Sequence, residues 1–154
     1  MKILLIYPKF PDTFWSFTYA LSFIGKKAAF PPLGLLTVAA LLPEEWPKRL
    51  VDLNVESLTD KDLLWADMAF IGGMAVQRKS AEQIIARCNA FKLKVVAGGP
   101  LFTSEPDEFM EVDHLVLDEA ELTLPAFLSD LNNGTLKKVW PERSDPPLPF
   151  RRYR

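Results

Sequence analysis

The sequence predicts an α/β fold: a parallel sheet covered by helices on both faces. Three observations carry this. Short apolar runs of strand length recur along the chain. Helical patterns fall between them, so strand and helix alternate about five times. The composition suits a packed core, with 154 residues, 49% hydrophobic and 25% charged. A chain of this size buries roughly two thirds of its unfolded surface and is expected to form one domain, not a disordered chain.

The elements follow in order. Residues 2–7 form an apolar run ended by Pro8, which reads as a buried strand opening a domain. Residues 9–32 hold seven of the 18 aromatics with no clean period, bracketed by Pro8, Pro11, Pro31 and Pro32. A loop this long is functional or disordered, and its aromatics argue against disorder. Residues 33–42 are apolar all round, so a helix there is expected to be buried. Residues 49–55 alternate as a second strand, 58–65 suit a short helix, and 67–71 form a third strand closed by Gly72 and Gly73. Ser80 is expected to open the clearest helix, because residues 80–83 match the reciprocal Ser-x-x-Gln cap. Ala81, Ile84, Ile85 and Cys88 then share one helical face. Residues 94–97 read as a fourth strand before Gly98, Gly99 and Pro100; 105–110 as a helical turn; and 113–117 as a fifth strand. Leu124, Phe127, Leu128 and Leu131 mark the last helix, which Gly134 is placed to stop. Residues 137–154, rich in proline and arginine, read as a linker or exposed tail.

Several function classes drop out. The net charge of −2 gives no basic field for nucleic acid or a membrane surface. No apolar run reaches the length of a membrane span or a signal peptide, so the expected compartment is the cytoplasm. One cysteine excludes an internal disulfide framework or a multi-cysteine metal site, and one histidine argues against a Ser-His-Asp triad or a multi-histidine metal site. Cys88, on an apolar helix face, reads as a core residue, and His114 as a hydrogen-bonded structural residue before a ligand or base.

In open α/β sheets ligands bind beyond the carboxyl ends of the strands. The loops to watch are therefore 7–17, 72–77, 98–104 and 118–121. Two glycine pairs at equivalent strand ends allow tight turns or close approach of a ligand to backbone. Neither belongs to a G-x-G-x-x-G or a G-x-x-x-x-G-K-[ST] pattern. Residues 104–130 hold nine acids and no lysine or arginine, which reads first as a solvated face. Asp118, Glu119 and Glu121 lie nearest the ligand edge, where they either accept hydrogen bonds or favour the next helix N-terminus.

Four segments together resemble the cobalamin-binding domains that precede class B radical SAM enzymes. Residues 30–42 (FPPLGLLTVAALL) resemble their PPLGL segment, and 65–77 (WADMAFIGGMAVQ) their third strand and its loop. Residues 94–103 (KVVAGGPLFT) resemble their VVxGGPxxT element, and 112–121 (VDHLVLDEAE) their VDxVVxGEGE element. The family includes anaerobic magnesium-protoporphyrin monomethyl ester cyclase types and several methyltransferases. The resemblance implies a flavodoxin-like, Rossmann-like three-layer sandwich with five parallel strands in the order 2-1-3-4-5. It implies a cobalamin (B12) domain over residues 1–136, then a linker toward a radical SAM domain that this sequence does not include. S-adenosylmethionine and a [4Fe-4S] cluster would belong to that domain, since the C-x-x-x-C-x-x-C motif is missing here. The implied cofactor-binding residues are Lys9, Phe10 and Pro11; Gly72, Gly73, Met74 and Gln77; Gly98, Gly99, Pro100 and Thr103; and Asp118, Glu119 and Glu121. No catalytic or metal-ligating residue is implied. The cobalt-ligating D-x-H-x-x-G motif is missing, Asp118 and Ala120 stand where glycines are usual, and Leu101 stands where histidine is common.

The leading reading is thus a cobalamin-binding module that works against a radical SAM catalytic domain. The rival is a degenerate domain that acts as a protein-interaction module, with a homodimer formed through the aromatic stretch between Phe10 and Phe30. An FMN binder is a third reading, for which residues 9–15 make a poor phosphate loop.

Overall fold

Strands covered on both faces are apolar at every position, whereas a half-exposed strand alternates. The first strand, β1 (Ile3–Tyr7), is buried throughout. Leu4 and Ile6 enter one core, and Ile3, Leu5 and Tyr7 the other, as the two-residue period of a strand requires. The computed structural model describes residues 1–11 and 31–141. Its strands β1, β2 (Lys48–Asp52), β3 (Met68–Gly72), β4 (Lys94–Gly98), β5 (His114–Val116) and β6 (Val139–Trp140) form one sheet in the order β2-β1-β3-β4-β5-β6. Every pairing is parallel. The α/β parallel architecture is as expected, but the sheet has six strands, not five. Val139 and Trp140, expected in the tail, pair alongside β5 as the sixth strand, where Trp140 buries its ring against Phe127 and donates Nε1–H to Asp130 at 2.8 Å.

Helices α1 (Leu33–Leu41) and α5 (Ala120–Asn133) cover one face of the sheet. Helices α2 (Asp60–Trp65) and α3 (Arg78–Ala90), with the short α4 (Pro100–Ser104), go with the other. α2 starts where Thr59 and Asp62 cap each other reciprocally. Burial pushes the Asp62 carboxyl up, but hydrogen bonds from Thr59 and the Arg49 guanidinium, 2.9 Å away, outweigh it and hold it below its usual value.

Three local expectations are corrected. α3 begins at Arg78, two residues before the expected Ser80, and the Ser80 hydroxyl accepts the Lys9 N–H at 2.9 Å instead of capping the helix. Residues 100–104, expected as loop, form α4, since Pro100 suits the first helical position. The helical turn expected at 105–110 is present, as a 3₁₀ turn over Pro106–Phe109. α1 is not buried all round: Leu35 is buried, whereas Leu33 is 67% exposed and Leu36 and Leu41 are also exposed. One stripe of α1 meets β1, β3 and α5, and another borders an open cleft.

Candidate functional site

The carboxyl ends of β1, β3, β4 and β5 release four loops toward one edge of the sheet. A network of hydrogen bonds joins them. Buried Gln77 donates Nε2–H to the Pro8 carbonyl at 2.5 Å and accepts the Met74 N–H on Oε1 at 2.9 Å. The Gly73 carbonyl accepts the Leu101 N–H at 3.0 Å. The Thr103 hydroxyl accepts the Asp118 N–H at 3.0 Å. Asn54 holds the first loop from its other side, accepting the Phe10 N–H at 2.9 Å. The site is thus set by its own scaffold before any ligand arrives.

Between these loops and helices α1 and α5 lies a cleft of about 740 Å³. Leu35, Val38, Phe70, Val96, Val116 and Leu124 form its apolar floor. Asp118, Glu119 and Glu121 stand at its mouth, and among the described residues no lysine or arginine lines it. Tyr7 lines it too; burial pushes its phenol up, Asp52 adds to this, and a hydrogen bond with Gln77 opposes it.

Eleven of the residues singled out by sequence line this cleft: Phe10, Gly72, Gly73, Met74, Gly98, Gly99, Pro100, Thr103, Asp118, Glu119 and Glu121. Lys9, Pro11 and Gln77 do not. Lys9 is tied to Ser80 by its backbone, Pro11 is exposed, and Gln77 is a brace beneath the loops. The wall supplied by α1, including Gly34 and Thr37, was missed as a binding surface. Its signal was there: a wholly apolar helix that carries a glycine and follows Pro31-Pro32.

The glycines have distinct roles. A Cβ on Gly98 would stand 2.5 Å from the Val116 carbonyl oxygen, so this residue lets β4 and β5 approach. Gly99 has φ +90°, which disfavours any side chain. Gly72 sits beneath Leu35, whose side chain a Cβ would meet at 3.1 Å. Asp118 adopts φ +62°, the left-handed region where glycine is easiest. Leu101 turns its side chain into the opposite core, so its bulk stays out of the cleft.

His114 lies at the amino end of β5, away from the strand ends that form the cleft; its Nδ1 is 2.6 Å from the Lys137 carbonyl, and its ring lies against Phe127 and Trp140. Burial pushes the Cys88 thiol up to about 11, which makes it inert. Among the described residues no three His, Cys, Asp or Glu side chains are grouped to hold a metal ion, and no helix is long and apolar enough to cross a membrane. Phe10 meets Tyr7 edge-on at 5.9 Å in the cleft wall, and the rest of the aromatic stretch, residues 12–30, lies outside the described residues.

Fold and cleft define a class: a parallel α/β domain with a ligand-sized apolar cleft at the carboxyl ends of its strands. Among known proteins the chain is similar to an uncharacterized methyltransferase of Synechocystis sp., 47% identical over 136 residues, covering 87% of this chain and 25% of the relative. It is also similar to the hopanoid C-2 methylase of Rhodopseudomonas palustris, 39% identical over 119 residues, covering 77% of this chain and 23% of the relative. The chain spans about a quarter of the length of these curated relatives. No protein-family model and no solved structure matches it.

Proposed function

We propose that this chain is the cobalamin-binding module of a B12-dependent radical SAM methylase. The observation that carries the reading is the open apolar cleft at the strand ends, in a chain similar to a methyltransferase and a methylase. Those relatives favour methyl transfer over the cyclisation that other members of the resembled family perform.

The lining residues fit the group. A corrinoid has a broad apolar ring edged with neutral amides and a tail that ends in an aromatic base. The apolar floor suits ring and base. The carboxylates of Asp118, Glu119 and Glu121 suit amide N–H donors, which the backbone of Gly73 and Gly99 lets approach closely. An FMN phosphate would instead meet three carboxylates and, among the described lining residues, no cation. When bound, cobalamin supplies a cobalt centre that carries a methyl group. The chain's own residues hold and orient it, and the joined loops keep that orientation fixed. With its only histidine at the far end of β5, the chain holds the group by its ring and tail and not by an imidazole.

Exposed apolar side chains on the segments that follow the strand ends and on α1 support a second surface in the same proposal. Leu122 is 78% exposed, and Leu33, Val76 and Met74 are also exposed. Uncovered apolar rims mark interaction surfaces. Here the partner is the radical SAM part of the parent enzyme, which brings S-adenosylmethionine and the [4Fe-4S] cluster. A purely degenerate domain is the weaker reading, because side chains would fill its pocket, and among the described residues this cleft is open. Titration with hydroxocobalamin, followed by the visible spectrum and by retention through a desalting column, tests the proposal. Saturable one-to-one binding is expected; no spectral change and no retention at high micromolar cobalamin would overturn it.

A further inference from the structure

We infer that Arg78 is a positioning residue for the cleft, a latch that fixes the segment after β4 against the segment after β3. Its bearing on the cofactor rests on the cobalamin reading above. Arg78 opens α3, directly after the β3 loop. Its guanidinium pairs with the Glu105 carboxylate and lies over the Phe109 ring, 5.2 Å from the ring centre. Glu82, one turn along α3, is 3.5 Å from the same group. Glu105 closes α4, and Phe109 closes the 3₁₀ turn that follows. Arg78, Glu105 and Phe109 all stand outside the cleft lining.

The latch matters because α4 is only 5 residues long, and a helix this short does not hold itself in place. Both of its ends are tied to the chain that leaves β3. At its start the Leu101 N–H donates to the Gly73 carbonyl at 3.0 Å. At its end Glu105 meets Arg78. Between these ties Phe102 packs on Phe109, with ring centres 4.6 Å apart. Thr103, also on α4, accepts the Asp118 N–H and so carries the next loop with it. The cleft-lining residues Gly73, Gly99, Pro100, Thr103 and Asp118 therefore depend on one tie point behind them. The Arg78 and Glu105 side chains are 32% and 45% exposed, so their ion pair adds little to global stability. Its effect is on arrangement. A ligand that needs one arrangement of the loops loses apparent affinity in proportion to the fraction of chains that leave it.

The experiment compares the parent chain with Arg78→Met, which keeps an apolar stem over Phe109 and removes the charge, and with Arg78→Lys, which restores the charge. Amide hydrogen exchange is read on the unliganded chains. In Arg78→Met the Leu101 and Asp118 amides should exchange severalfold faster, while the Leu5 and Val96 amides in the middle of the sheet keep their parent rates. Hydroxocobalamin titration should give about fivefold weaker binding for Arg78→Met. Arg78→Lys should recover part of both effects, since an ammonium replaces the charge but not the flat guanidinium. Unchanged exchange at Leu101 and Asp118 would overturn the latch. Faster exchange at Leu5 and Val96 as well would also overturn it, because the residue would then support the whole fold. Parent affinity in Arg78→Met despite faster loop exchange would overturn its bearing on the cofactor. A parent chain that binds no hydroxocobalamin would overturn the cobalamin reading, while the exchange rates still decide the latch.

Discussion

Glycines that look alike in the sequence do different work at these strand ends, and substitution separates them. Gly98→Ala would drive a Cβ to 2.5 Å from the Val116 carbonyl oxygen, so β4 and β5 must part. It should cost about 2 kcal/mol or more in urea unfolding. Gly73→Ala meets only side-chain atoms at 3.7 Å or beyond and should stay within about 0.5 kcal/mol of the parent chain. A loss of cofactor binding in the Gly98 variant would therefore report the fold, not the site. Asp118, at φ +62°, is the converse case. Asp118→Gly should raise stability by about 0.5 kcal/mol through relief of left-handed strain. The glycine pairs were legible as a feature of the strand ends, but their separate reasons were not, since these depend on a neighbouring strand, a neighbouring helix and a dihedral angle.

Helix α2 owes its start to the Thr59–Asp62 cap, and Thr59→Ala should cost about 1 kcal/mol. The same cap sets part of the acid response. Asp62 and Asp113 both have carboxyls held below the usual value, Asp113 against its burial by Lys94 and the Val95 N–H. A depressed carboxylate adds stability above its unfolded-state value and loses it as pH falls through its folded value. The unfolding midpoint should thus hold steady above about pH 5 and fall below about pH 4, and Asp62→Asn should flatten that fall. Helix α3 shows why a local motif misleads. Its cap pattern at Ser80 is sound by spacing, yet the Lys9 backbone claims the hydroxyl and buried Gln77 starts the helix. Both events depend on the first loop, 71 residues from Ser80. Helix α1 was legible as a helix because of its prolines and apolar run, but not as a cleft wall, because composition does not show which flank a sheet leaves uncovered.

The layered sheet was legible because parallel strands announce themselves as short apolar runs separated by helical patterns. Its sixth strand was not: β6 is two residues long, and a lysine pair and proline-rich sequence surround it. Its contribution comes from one side chain. Trp140 is 3% exposed, and Trp140→Ala should cost about 3–5 kcal/mol, read by denaturant unfolding. The candidate site was legible at its loops, because strand ends carry ligands in such folds, while its floor needed the tertiary arrangement of three strands and two helices. We propose that cobalamin sits in the cleft between those elements. Gly34 offers a direct way to test it: it lines the cleft, and a Cβ there meets nothing within 4 Å, so a larger side chain can occupy the space without disturbing the core. The measurement is the amount of hydroxocobalamin retained through desalting by the parent chain and by Gly34→Trp, each first shown to be folded by circular dichroism. If the cleft holds cobalamin, the parent chain retains one equivalent and the variant little or none. Equal retention by both, or none by the parent chain, would contradict it.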